Sequence, residues 1–147
     1  MRSTLQAFSH DLFQVIGLIE AAKEELASGR DRESPALDRL ARRLRNHLRL
    51  EEELIFPAVE RQVQDPEFRL TATLRREHQA IRALLAEVER DLAHDNRAGA
   101  VGTLRELLAA LHTHEQKERQ ALFPIAGRVL EESDPALVAL LGEVAGP

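Results

Sequence analysis

Apolar positions recur along this chain at spacings of three and four, the period of a helix buried along one face. The first stripe is Leu5, Phe8, Leu12, Val15, Ile19, Ala22 and Leu26, which predicts a helix from about Thr4 to Ser28, stopped by Gly29. Ser34 suits an N-cap and Pro35 a first helical position. They open a second helix, running to about Gln62 on Leu37, Leu40, Leu44, His47, Glu51, Leu54 and Ala58. Asp65 and Pro66 open a third, to about Leu92, with Phe68, Thr71, Leu74, His78, Ile81, Leu85, Val88 and Leu92 on one face. A turn starting at Asp95 or Asn96 leads to a fourth, carrying Val101, Leu104, Leu108, Leu111, His114, Glu118, Leu122, Ile125 and Val129. Asp134 and Pro135 start a short fifth helix over 135–145.

The second and fourth stripes are copies. His47, Glu51, Phe56 and Pro57 return 67 positions later as His114, Glu118, Phe123 and Pro124, behind matching leucine triplets. A repeat of this kind sets the architecture. The chain reads as one all-α domain over 1–147, built from two similar helical hairpins, 4–63 and 66–130. Each hairpin has one histidine on its first helix, His10 or His78, and a His/Glu pair on its second. Pro57 cannot donate to the carbonyl of Glu53, so both long second helices are expected to kink late. His10 lies off the strong stripe of its helix, beside Phe13 and Gly17. If it faces the bundle, the Leu5/Phe8/Leu12/Ile19 side is left outside, and a homodimer through that outer apolar face is expected.

Composition narrows the chemistry. The 147 residues include no cysteine, which excludes disulfides, iron–sulfur clusters and thiol redox. Without Tyr or Trp there is no phenolate ligand or tyrosyl radical. A net charge of -5, with Arg interleaved among Glu and Asp, argues against nucleic acid as a partner. No apolar run is long enough to cross a bilayer, and no signal-peptide core opens the chain, so a cytoplasmic location is expected.

Three histidines and two glutamates sit squarely on core-facing stripes. Burying an ionised carboxylate or an unpaired imidazole among leucines costs heavily unless it is paired or binds a metal. Residues four apart stack one turn above each other, so His47/Glu51 and His114/Glu118 can each serve one ion or reach across to a neighbour. With His10 the set is four imidazoles and two carboxylates, a mixture suited to a hard, redox-capable ion such as iron or manganese. A mononuclear site, another divalent metal, and a metal-free helical interaction module are the alternatives; the last strands Glu51 and Glu118. Ferritin-like di-iron enzymes use Glu-x-x-His pairs, and no histidine here has a Glu three residues before it. The chain reads as a metal- and ligand-binding protein rather than a dedicated enzyme.

With its first-helix His, its H-x3-E with downstream Phe-Pro, and the second copy of both, the chain resembles the hemerythrin-like, or HHE cation-binding, domain family. That resemblance implies an up-down-up-down four-helix bundle around two non-haem iron ions with a bridging oxo or hydroxo ligand. The implied metal ligands are His10, His47, Glu51, His78, His114 and Glu118, with Glu51 and Glu118 as bridges. Phe13, Phe56 and Phe123 flank them as walls of a small-ligand pocket for O2, NO or peroxide. Oxygen carriers of the family have another His one turn after the position of His78; here it is Arg82. Glu115 is a candidate extra ligand, and His112 should point away. The substitution favours sensing, iron or redox handling, or scavenging over reversible O2 carriage. Glu52 and Glu53 are expected on outward faces, and His94 in an exposed turn.

Overall fold

The stripes decide the architecture. A computed structural model describes the backbone of residues 4–28 and 34–133, and the side chains of 8–28 and 34–128. It contains α1 (Thr4–Ala27), α2 (Pro35–Leu50), α3 (Phe56–Gln62), α4 (Leu70–Ala93), α5 (Arg97–Lys117) and α6 (Phe123–Ser133). The described residues contain helices and short connections but no strand, and none of their helices is long and apolar enough to cross a membrane. Helix α1 packs on α2 and α5, and α4 on α5 and α2, closing an all-α four-helix bundle; α3 and α6 meet at one end. The fifth helix expected over 135–145 lies outside the described residues, as do the side chains of Leu5 and Val129.

Local chemistry fixes most of the ends. Ser34 caps α2, its Oγ accepting from Leu37 N–H at 3.1 Å while its hydroxyl donates to Glu25. Asn96 caps α5, accepting from Gly99 N–H at 3.0 Å. Asp65 does not open α4 as expected. It accepts from Glu67 N–H at 2.9 Å to make a turn, and the helix begins at Leu70.

The second and fourth long helices run past their prolines through a π turn, where kinks were expected. One covers Glu51–Ile55 and the other Glu118–Leu122. Phe56 N–H bonds back to Glu51 C=O, and Phe123 N–H to Glu118 C=O, five residues apart in place of four. The widened turn takes in the step that Pro57 and Pro124, lacking an N–H, cannot support as regular α-helix. One inserted residue rotates the remainder of the helix by about 100°. Ile55 and Phe56 therefore enter the core where simple spacing points to Leu54, and Ala126 enters where it points to Ile125.

Two apolar clusters result. The larger holds Leu12, Val15, Ile19, Leu40, Leu44, Leu48, Ile81, Leu85, Leu104 and Leu111. The smaller holds Phe8, Ile55, Phe56, Val59, Leu74, Leu122 and Ala126. His47, Glu51, His78, His114 and Glu118 are all buried where the two meet. Along α4, His78 stands between Leu74 of one cluster and Ile81 of the other.

Helix α1 corrects one expectation. Phe8, Leu12, Val15, Ile19, Ala22 and Leu26 are almost wholly buried, whereas His10 is exposed. The two sets face opposite ways, and turning His10 inward would expose a stripe in which each large side chain is worth about 1.5–3 kcal/mol. The face on which a second copy was expected is thus the inner one. Phe13, expected beside the ligands, is 50% exposed on the outer side. Replacing Ile19 with Ala should lower the unfolding free energy by about 2–5 kcal/mol in urea titrations, while His10→Ala should change it by no more than about 0.5 kcal/mol. Comparable losses in the two variants would contradict this orientation.

Candidate metal centre

Each π turn starts on the glutamate of its His/Glu pair. His47 and His114 sit at the end of regular α-helix, one turn before Glu51 and Glu118. His47 Nε2 lies 3.2 Å from Glu51 Oε1, and His114 Nε2 3.1 Å from Glu118 Oε1. Helix α4 supplies His78, whose Nε2 is 3.1 Å from His114 Nε2. Glu51 Oε1 is 3.8 Å from His78 Nε2 and 4.0 Å from His114 Nε2. The donor atoms fall into two clusters, Glu51/His78/His114 and His47/Glu51/Glu118, and Glu51 belongs to both.

The arrangement fits cations. His47 Nε2 and all four carboxylate oxygens of Glu51 and Glu118 are buried without a hydrogen-bond partner. Native interiors rarely leave such atoms unpaired. Two ligands set at right angles about 2.1 Å from one ion stand about 3.0 Å apart, close to the spacings of His78/His114 and His47/Glu51. Imidazole and carboxylate with no thiolate make a donor set for a divalent metal cation.

His10 takes no part. In its place α1 offers Phe8, whose ring stacks on His47 with centroids 4.0 Å apart and planes 14° apart. Phe56 is buried and tilted against His78 at 5.2 Å, with the Arg75 guanidinium over its ring. Phe123 is only half-buried. Glu115 is buried but stands outside both donor clusters, 3.4 Å from Arg119. His94 and His112 are exposed, and Glu53 pairs with Arg49 on the surface.

A second layer was not legible in the sequence. Each buried imidazole turns Nε2 inward and Nδ1 outward to a carboxylate: His47 to Asp11 at 3.2 Å, His78 to Glu52 at 2.6 Å, His114 to Glu77 at 2.8 Å. A cation meets each carboxylate in turn: Arg43 on Asp11, Arg82 on Glu52, Lys117 on Glu77. Glu52, expected on an outward face, is therefore a brace of the centre. Asp11, Glu52 and Glu77 each sit one position from a residue at the level of the site. A residue one position off a buried face lies about 100° around the helix, where a long acid can reach the next helix. That flanking position is the signal that could have found them.

The local fields separate the titrations. Burial presses the His47 imidazolium down, but Asp11 and Glu51 outweigh it and lift its pKa to about 10. Burial likewise opposes charge on His114, and Glu118, Glu51 and Glu77 raise it to about 9. Burial and the neighbouring His114 charge push His78 down to about 4. Burial and the charge of Glu51 drive Glu118 up to about 8. Burial would raise Glu51 too, but Glu118, His47 and His114 hold it below the ordinary carboxylate range. At neutral pH the polar layer thus holds protons on His47, His114 and Glu118, at the atoms a metal would claim.

The chain matches the model of the hemerythrin HHE cation-binding domain over residues 4–126, most of its length. It belongs to that family. A second match over 69–144 begins at the second hairpin, in keeping with the repeat. No curated protein and no solved structure matches the chain. As a hemerythrin-like domain it is a cation-binding helical bundle, and the buried His/Glu clusters are its candidate site.

The raised groups set a pH dependence. His47 and His114 bind protons more tightly folded than unfolded, where histidine titrates near about 6.5. Their stabilisation is complete below that pH and lost as pH rises through about 9 and about 10. Glu118, raised to about 8, acts in the same direction. The melting temperature of the metal-free protein should fall as pH rises from about 6.5 to about 9, and saturating metal should flatten the decline. A metal-free melting temperature that rises over that range would contradict these assignments.

Proposed function

We propose that this hemerythrin-like chain is a non-haem iron protein whose two neighbouring cation sites share Glu51, and that it takes up O2, NO or peroxide for sensing, redox handling or scavenging. The observation that carries the reading is the set of five partnerless donor atoms on His47, Glu51 and Glu118, buried beside the His78/His114 pair. Metal-free, these atoms have only one another and their protons to offset the desolvation that burial imposes.

Bound there, a pair of irons would supply redox equivalents and open coordination positions for a small ligand. The chain's own contribution is separable from the metal's. His78, His114 and Glu51 would hold one ion; His47, Glu51 and Glu118 the other. Leu44, Leu48, Leu111 and Phe8 keep water away, strengthening every electrostatic contact inside. In the metal-free chain Glu118, with its pKa raised to about 8, holds a proton at neutral pH that an incoming cation would displace. The inner donors are three imidazoles and two carboxylates, poorer in nitrogen than six ligands that include His10. Carboxylate-rich sets favour the harder, oxidised ion, which supports reactive or sensing use over reversible O2 carriage.

A single-ion reading has one observation in its favour: with His10 outside and Phe8 on His47, the His47 side has just one imidazole. Metal counting separates the two. Ferrous iron loaded anaerobically should be retained at about two per chain by this count of donors, and admission of O2 should bring up an oxo-bridge charge-transfer band. A His47→Ala/His114→Ala double variant should retain little iron. One iron per chain would favour the single-ion reading, and undiminished retention in the double variant would sink both.

A further inference from the structure

The three braces around the inner donors are unequal. Glu52 receives a forked contact from Arg82, Nη1 at 2.6 Å and Nη2 at 3.0 Å, and meets His78 Nδ1 at 2.6 Å. Glu77 meets His114 Nδ1 at 2.8 Å and takes Lys117 on its other oxygen. Asp11 meets His47 Nδ1 at a longer 3.2 Å, with a single Arg43 nitrogen at 3.3 Å. A fork between guanidinium and carboxylate fixes a plane as well as a distance. It holds Glu52 as the acceptor for a proton on Nδ1 of His78, which leaves Nε2 as the free donor facing Glu51 and His114.

The internal repeat shows the same inequality. Glu52 crosses from the first hairpin to brace the histidine on the first helix of the second. Its counterpart 67 positions later is Arg119, which reaches back to Glu115 at 3.4 Å. On α1 there is no inward histidine among the described residues for such a brace to hold. One donor cluster thus has two imidazoles on short braces, and the other has one imidazole on a long brace.

We infer that Arg82 and Glu52 are a positioning pair for His78, and that they make Glu51/His78/His114 the tighter cation site and His47/Glu51/Glu118 the exchangeable one. The inference rests on the reading of the centre as paired sites. The tighter site fills first and stays filled, and ions enter and leave through the other.

The test is a cobalt(II) titration of the metal-free full chain, followed by absorption and by histidine resonances, with no ligand chemistry involved. The wild type should bind in two steps, the first shifting His78 and His114 and the second His47. Arg82→Ala and Glu52→Gln should weaken the first step about 10–100-fold and leave the second unchanged. Arg43→Ala should weaken only the second, and Arg82→Lys should restore part of the first. Helicity of each metal-free variant guards against misfolding, and Arg82→Lys carries the test if Arg82→Ala does not fold. A single step in the wild type would overturn the paired sites and this inference with them. Two steps with an unchanged first step in both Arg82→Lys and Glu52→Gln, or a first step that moves His47, would overturn the inference alone.

Discussion

The constraint on which this bundle depends is the cost of a polar layer between two apolar clusters. Two carboxylates and three imidazoles are placed where water does not reach. Effective dielectric constants there are low, so each charge either finds an opposite or is neutralised. The chain meets this in two tiers. Outward, every imidazole leans on a carboxylate, and every carboxylate on a cation near the surface. Inward, Glu51, Glu118 and the Nε2 atoms face one another with too few protons to satisfy them. An interior arranged this way is complete only with cations in it, and the family to which the chain belongs is a cation-binding one.

The π turns make that layer compatible with a packed core on both sides. A regular α-helix that carries His47 and Glu51 inward would next bring Leu54 and Ala58 to the same face. By widening at Glu51 and again at Glu118, both helices change register at the level of the site. Ile55 and Phe56 from one helix and Leu122 and Ala126 from the other then close the layer on the same side, in the smaller cluster. Pro57 and Pro124 stand just past the widened turns, where a missing N–H is least costly.

These two mechanisms separate what was legible in the sequence from what was not. The α4 stripe emerged as read, Thr71 to Val88 with His78 at its centre, because nothing interrupts its period. The helical hairpins and the two H-x3-E pairs on core faces were legible for the same reason. The places of Leu54 and Ile125 were not, since a bulge of one residue leaves no trace in composition, although Ala58 and Leu122 are buried as expected. The orientation of α1 runs against the pull of its one histidine, because six apolar side chains outweigh a single imidazole. The outer braces were hidden for a different reason. Asp11, Glu52 and Glu77 look like surface acids along their own helices, and their partners lie on others. Their flanking positions mark them as candidates, but which carboxylate meets which imidazole is set by how the helices pack.

The exclusion of His10 bears on how the two halves divide their work. A strict repeat would give each hairpin three inner donors. Here the second hairpin keeps all three of its own, His78, His114 and Glu118, and the first keeps His47 and Glu51. The position that a first-helix ligand would fill is taken on α1 by Phe8, flat against His47. An aromatic ring fixes that imidazole by contact and adds no donor, so any ion beside it would have fewer protein ligands and a drier surrounding. Arg119, in the place of Glu52, completes the pattern: where α1 presents no inward histidine, the repeat-equivalent position carries no carboxylate to brace one. The asymmetry therefore runs through inner donors and outer braces together. The missing inner donor on the first helix and the missing brace on the fourth are thus the same asymmetry, seen at two levels of the site.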